Sequence, residues 1–321
     1  LAPFGEPRFY DLILEHLLDL KEDGSFRMDM SYFDYTAGLS MVSKKFEQLF
    51  GEPRREPDSE IGEHFMDVGA SIQAVTEEIM LRCARHVREA TGMDKLCLAG
   101  GVALNCVGNG RILREGIFDE MWIQPASNDA GGALGVAQFI WHQLLDQPRE
   151  VGTGDSQHGS LLGPRFDHDA CLDTVTREGA QHECIGSEDA RARWIAERIA
   201  EGKVVGLMHG RMEFGPRALG CRSILGDPRS EKMQRLINLK IKYRESFRPF
   251  APSVLHERAH EWFEFEPGQS SPYMLLVTTV NKSKRRAVAG GDARGLDRLQ
   301  VARSEIPAVT HVDGSARVQT V

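Results

Sequence analysis

At 321 residues, with 41% hydrophobic and 27% charged side chains, the chain has a globular composition and suits two domains of about 150 residues each. No apolar run approaches the roughly 20 residues of a membrane span. A net charge of −8 argues against a broad electrostatic grip on nucleic acid, so any anion site has to be local.

In chain order, apolar residues at three- and four-residue spacing predict helices over 10–23 and 61–92, the second with Ile72, Val75, Ile79, Cys83, His86 and Val87 on one face. Residues 95–99 read as a strand, Gly100-Gly101 as a turn and 102–114 as the next helix. A second such unit follows: a strand over 120–124, a loop over 125–129 and a small-residue helix over 131–145. Residues 147–163 lack periodicity and read as linker. Helices are expected over 167–178 and 189–202, a strand over 204–208, a helix over 232–239, an extended segment over 241–254 and a mobile basic loop over 282–303. The end of the chain, 307–321, reads as a strand pair turning at Asp313-Gly314. The fold class is therefore α/β, divided as 1–150, a linker 151–186, and 187–321. The chain starts at Leu1 and ends in a strand-like RVQTV, so it is expected to be cut at both ends. Six cysteines without CxxC spacing point to neither a zinc knuckle nor a disulfide framework, and with no signal-peptide pattern they suit a reducing cytoplasm.

The chemistry concentrates in glycine- and arginine-rich turns. LAGGVALNC (98–106) puts glycines where strand becomes helix, so backbone amides can approach a phosphate or ribose, or simply make a tight turn around Asn105. PASNDAGGALG (125–135) repeats that architecture, with Asp129 placed either as a helix cap or as a ligand for a metal bridging nucleotide phosphates. Two such units facing one cleft are how actin- and hexokinase-like ATPases hold a nucleotide, which favours the ligand role. GRMEFGPRALGCRSILGDPR (210–229) carries four arginines and one Glu213 in an irregular, glycine-punctuated frame. In 241–254, Lys242, Arg244 and Arg248 would share one side of an extended segment. Convergent guanidinium groups suit a triphosphate or acyl phosphate, the bland reading being a solvated basic surface. His311, near Asp313 and Arg317, is either an acid or base or a structural histidine.

Taken together, LAPFG, LAGGVALNC, PASNDAGGALG, LLGP, GRMEFGPRALGCRSIL, KYRESFRPFAPSV and PAVTHVDGSARVQTV resemble, in order, the NodU/CmcH family of O-carbamoyltransferases. The resemblance implies an actin-like ATPase (ASKHA, TsaD-like) subdomain followed by a YrdC-like α/β domain. By that resemblance the second makes carbamoyl adenylate from carbamoyl phosphate and ATP. The first passes the carbamoyl group to a hydroxyl of a small-molecule or natural-product acceptor near a divalent metal, iron in the family with Mg2+ as the alternative. Arg217, Arg248 and His311 would be catalytic. Gly100, Gly101, Asn105, Gly131, Gly132, Arg222, Ser223, Lys242 and Arg244 would bind the cofactor, and Asp129 the metal. The family's paired histidine ligands would lie upstream of Leu1 and its NTSFN-type segment beyond Val321, and Cys221 stands where relatives often carry Asn.

A homodimer is compatible with this reading. Two others compete with it: a tRNA threonylcarbamoyladenosine-type transferase, disfavoured by the acidic charge, and a non-catalytic ATP-binding module, for which the arginine-rich half would be superfluous.

Overall fold

A computed structural model of the chain describes residues 1–266, 268–287 and 293–321. Helix α1 (Tyr10–His16) leads into the strands β1 (Leu18–Leu20) and β2 (Phe26–Met28), then α2 (Lys44–Phe50) and the long α3 (Glu63–Thr91). Next come β3 (Lys95–Leu98), α4 (Cys106–Arg114), β4 (Glu120–Ile123), α5 (Asp129–Phe139), α6 (His168–Arg177) and α7 (Glu188–Ala200). The remainder is β5 (Val205–Met208), β6 (Arg222–Leu225), α8 (Met233–Leu236), β7 (Ser253–Val254), α9 (Ala259–Trp262), β8 (Val277–Thr279), β9 (Ser315–Arg317) and β10 (Gln319–Thr320). The mixed α/β character expected from the sequence is present. Among the described residues no helix is long and apolar enough to cross a membrane.

Two compact units make up the chain, one of residues 1–96, 107–121 and 286–303, the other of 97–106, 122–285 and 304–321. The two units interleave in sequence.

The first unit is organised by α3, which buries Met66, Ala70, Leu81 and Ala84 on one face and Val75 on the opposite one; of the stripe expected from the sequence only Val75 is buried, and Ile72, Cys83, His86 and Val87 are exposed. Gly92 ends it in the left-handed conformation (φ 66°), its amide on the Arg88 carbonyl. Ile13, Leu17, Tyr32 and Phe50 close a core on Val75. The helix expected over 10–23 stops at His16, because Asp23 accepts from the Ser25 amide at 2.9 Å and Gly24 turns at φ 84°, which pairs β1 with β2 instead. In the expected mobile loop, 282–303, the described residues form short 3-10 turns, Lys282–Lys284 and Gly295–Gln300, and Arg298 donates to the Pro3 carbonyl at 2.6 Å. Residues 288–292 of that stretch lie outside the described residues.

The N-terminal LAPFG is packed on α3. A Cβ at Gly5 would stand 2.2 Å from the Met66 carbonyl carbon and 2.5 Å from the Asp67 amide nitrogen, backbone atoms that cannot swing aside. Gly5→Ala is therefore expected to destabilise the protein by about 3 kcal/mol in urea unfolding. An unchanged midpoint would mean that LAPFG is not packed this way.

In the second unit Phe263, Phe265, Val280, Ile306, Ala316 and Val318 form the core. Strand β8 pairs antiparallel with β9, β10 parallel with β7, and β5 antiparallel with β6. Three expectations are corrected here. The turn at Asp313-Gly314 forms, with Gly314 at φ 82° and its amide on the His311 carbonyl, but no strand precedes it, since Pro307 starts a 3-10 turn. Strand β9 pairs with β8 instead. Residues 222–225, expected to be irregular, form β6. Of residues 241–254 only the end is extended, as β7: a π turn (Ile237–Ile241) follows α8, and the buried Asn238 amide coils the chain up to Arg248 by donating to the Ser246 and Arg248 carbonyls (3.2 and 2.8 Å). The extended spacing expected to put Lys242, Arg244 and Arg248 on one side is therefore absent.

Candidate functional site

All the site segments lie in the second unit. Beyond β3 the chain turns at Gly100 (φ 96°), makes a 3-10 turn over Gly101–Leu104, breaks at Asn105 (φ −75°, ψ 87°) and only then starts α4. The glycines thus precede a 3-10 turn rather than opening the α-helix expected from residue 102. After β4, α5 starts at Asp129, two residues before the expected Gly131. Asn128 is its N-cap, without a side-chain cap bond, and Asp129 is exposed in the first turn, so the capping role considered for Asp129 falls away. A Cβ at Gly131 would meet the Ala126 carbonyl oxygen at 2.0 Å, whereas Gly132 faces open space. Gly131 is needed for packing.

The arginine-rich loop is built around Glu213, whose side chain is fully buried. Its carboxylate accepts from the Leu219 amide (2.9 Å), the Cys221 amide (2.6 Å) and Arg222 Nε (2.8 Å). Burial would raise its pKa, but Arg222 and the two amides together hold it below the ordinary glutamate value. Arg222 is used inside the loop, reaching also toward the Gly215 and Arg217 carbonyls, and Ser223 Oγ accepts from the Gly220 amide at 3.0 Å. Gly215, at φ 128°, leaves room beside Ala126, where a Cβ would stand 3.3 Å from the Ala126 Cβ.

This folding delivers Arg217 to the Leu104 carbonyl at 3.4 Å. Arg317, on β9, meets Cys106 through its side chain, and its pKa is pushed down to about 10, first by burial and then by the neighbouring Arg217 and Arg244. Arg244 is lowered as well, by burial and then by Arg248; its Nε donates to Asn238 Oδ1 at 2.7 Å and its guanidinium lies 5.0 Å from the Phe250 ring centre. The Nε atoms of Arg217 and Arg317 are buried without hydrogen-bond partners. Half-buried cations that repel one another and leave buried donors unpaired are a site shaped for an anion, and guanidinium forks suit phosphate or carboxylate oxygens. Glu213, the carboxylate inside the loop, is committed to Arg222.

The remaining candidates are placed apart from this cluster or at its margin. Arg248 pairs with Glu245 at 2.7 Å and is half exposed, and Lys242 is exposed. His311 Nδ1 lies 3.6 Å from Asp313 Oδ1 in the turn before β9. Burial would raise the Asp313 pKa, but His311 and Ser315 hold it well below the usual carboxylate range. Asp129 has no companion ligands: among the described residues no group of three or more His, Cys, Asp or Glu could hold a metal. Arg317 and Glu213 are functional residues that the sequence reading misses. The signals were there: Ala316 and Val318 alternate around Arg317 on a strand, and one acid stands inside a run of arginines.

Comparison with known proteins adds a second line. Residues 1–138 match the model for the carbamoyltransferase N-terminus, and residues 196–321 that for the carbamoyltransferase C-terminus. The chain is 53% identical over its full length to an uncharacterized protein of Synechocystis sp.. It is 37% identical, again over its full length, to nodulation protein NolO of Bradyrhizobium diazoefficiens, and 39% to nodulation protein NolNO of Sinorhizobium fredii. It covers 52%, 53% and 42% of those proteins, so it spans about half the length of the curated relatives it matches.

Proposed function

The chain belongs to the carbamoyltransferase family, and from that premise we propose that the whole protein activates a carbamoyl group with ATP and passes it to a hydroxyl of a small-molecule acceptor. The observation that carries the activation step is the Arg217, Arg244 and Arg317 cluster with its two unpartnered guanidinium nitrogens. Carbamoyl phosphate and the ATP triphosphate are the anions that would complete it.

The balance of the reaction is fixed by its reactants. Water releases inorganic phosphate from carbamoyl phosphate, a carbamate oxygen attacks the α-phosphorus of ATP, and pyrophosphate leaves with the bonding electrons. The acceptor hydroxyl then attacks the carbamoyl carbon of the adenylate, losing its proton, and AMP departs. Arg217 and Arg317 would hold the oxygens on which charge builds, in a water-poor setting where such contacts are worth most. Arg244, braced by Asn238 and Phe250, would add charge from the side, and Arg248 would act at the rim. Gly100, Gly101, Asn105 and Gly132 would line the nucleotide, with Gly131 shaping the turn. Arg222 and Ser223 would act through the loop they stabilise, Lys242 as an exposed recruiter of anions, and His311 as a proton carrier tuned by Asp313. An ASKHA-like and a YrdC-like part remain the architecture this reading favours. Asp129 would be one metal ligand, although among the described residues it has no companion His, Cys, Asp or Glu to complete a site. Six free thiols suit work in a reducing compartment.

The test is pyrophosphate release from ATP by the whole protein, without acceptor, with and without carbamoyl phosphate. Release that depends on carbamoyl phosphate is expected. A folded protein that leaves ATP untouched in both cases would remove the activation step.

A further inference from the structure

Residues 155–160, expected to be linker, form a tight strap. Asp155 Oδ1 accepts from the Gln157 amide at 2.9 Å and Oδ2 from the Gly159 amide at 3.0 Å. The Tyr273 hydroxyl donates to Asp155 and accepts from the Gly159 amide at 3.1 Å. His158, Gly159 and Ser160 follow one another in the left-handed region, at φ 49°, 64° and 62°, a conformation that side chains other than glycine adopt at about 1 kcal/mol or more. The strap is joined to the arginine loop by the Phe214 amide, which donates to the Ser160 carbonyl at 2.6 Å. The next residue, Gly215, lies against Ala126 in the turn before α5. Strap, arginine loop and turn are thus in consecutive contact within one unit.

Along that path sit five buried polar atoms without hydrogen-bond partners: Gln157 Nε2, Ser160 Oγ, Ser127 Oγ, Asn128 Oδ1 and Arg217 Nε. Gln157, Ser160 and Ser127 are only 6%, 1% and 5% exposed. Each orphaned group disfavours the fold by about 1–3 kcal/mol, and native proteins keep few of them. Four of the five belong to neutral side chains, and together they offer both donors and acceptors. Asp155 and Glu213, the carboxylates of the same segments, are committed internally. Neutral donors and acceptors next to an arginine that would hold phosphate match one chemical group, an uncharged amide a single bridging oxygen away from phosphorus.

Resting on the activation reading above, we propose that Gln157, Ser160, Ser127 and Asn128 form the subsite that recognises the –CO–NH2 of the carbamoyl group. The site would thereby reject acetyl phosphate, in which a methyl group of similar size replaces the –NH2. Buried partners left unpaired by the wrong substrate are what make such rejection strong.

The experiment compares kcat/KM for pyrophosphate release with carbamoyl phosphate and with acetyl phosphate, in the whole protein and in the variants Ser160→Ala and Gln157→Met, alongside thermal midpoints. Gln157 has an ordinary φ of −79°, so its replacement does not disturb the left-handed turn. Each variant is expected to narrow the preference for carbamoyl phosphate about tenfold, with a thermal midpoint unchanged or higher, because it removes an orphaned polar atom. If both variants lower the midpoint and keep the full preference, ordered water satisfies these atoms and the subsite is overturned. If the unaltered protein shows no release dependent on carbamoyl phosphate, the activation reading and the subsite fall together.

Discussion

Replacing Arg317 by Met is expected to lower carbamoyl-phosphate-dependent pyrophosphate release by about 10²–10³-fold, while the thermal midpoint without ligand holds or rises. The two halves of that expectation have one cause. Burial, and then Arg217 and Arg244, push the Arg317 pKa down to about 10, so the charged form is less favourable in the folded protein than in the unfolded chain. At neutral pH the group is nevertheless charged and the unfavourable term is present in full. It fades only as pH rises through about 10, where the unfolded chain binds more protons and stability therefore increases with pH. Methionine retains much of the stem's packing and removes the repulsion, but it also removes a fork for the anion. Inorganic pyrophosphate should raise the midpoint of the unaltered protein and do so far less in the variant. A variant with a lower midpoint and an undiminished pyrophosphate shift would make Arg317 a structural residue.

The second large effect belongs to stability. Glu213→Gln is expected to cost about 3–5 kcal/mol, the range seen when one partner of a buried ion pair is removed. Its oxygens serve three donors, the Leu219 and Cys221 amides and Arg222 Nε, and a glutamine would turn an NH2 group toward one of them. The pKa of Glu213 lies below the ordinary 4.5, burial being outweighed by Arg222 and the two amides. The stabilisation is therefore present above pH 4.5 and is lost as pH falls through the lowered folded-state value. Urea unfolding at neutral and acid pH checks both points: the acid loss should be shallower in the variant. Equal stability of the two proteins at neutral pH would dismiss Glu213 as the organiser of the loop.

The positions of the longer helices are legible, but the buried face of α3 is not, since Ile72, Cys83, His86 and Val87 of the expected stripe are exposed while Met66, Ala70, Leu81 and Ala84 are buried. Helix α3 ends at Gly92 as read, and α6 and α7 begin after Asp167 and Ser187, whose side chains accept from the amides three residues on. The misreadings occur where one polar side chain overrides a repeat: Asp23 ends α1 early by folding a hairpin, and Asn238 coils a segment whose alternating cations implied extension. Strand partners were opaque for another reason, since β8 and β9 lie far apart in the chain and no local pattern encodes their pairing. At the site, the sequence singled out the right segments but divided them. The contacts of Arg217 with Leu104 and of Arg317 with Cys106 join GGVALNC to the arginine-rich loop and the last strands, a proximity that spacing along the chain does not carry.

The interleaving of the two compact units governs the order in which a nascent chain can complete itself. The first unit needs 286–303, whose Arg298 reaches back to Pro3, and the second needs β9 and β10. Neither can close until those segments have left the ribosome, while at about 5–20 residues per second the earlier ones are already outside. Long loops have to be gathered at high sequence separation, which slows folding and prolongs the exposure of the apolar residues of α3. A pause or a premature stop just before residue 286 would thus leave both units open at once and present those residues to chaperones.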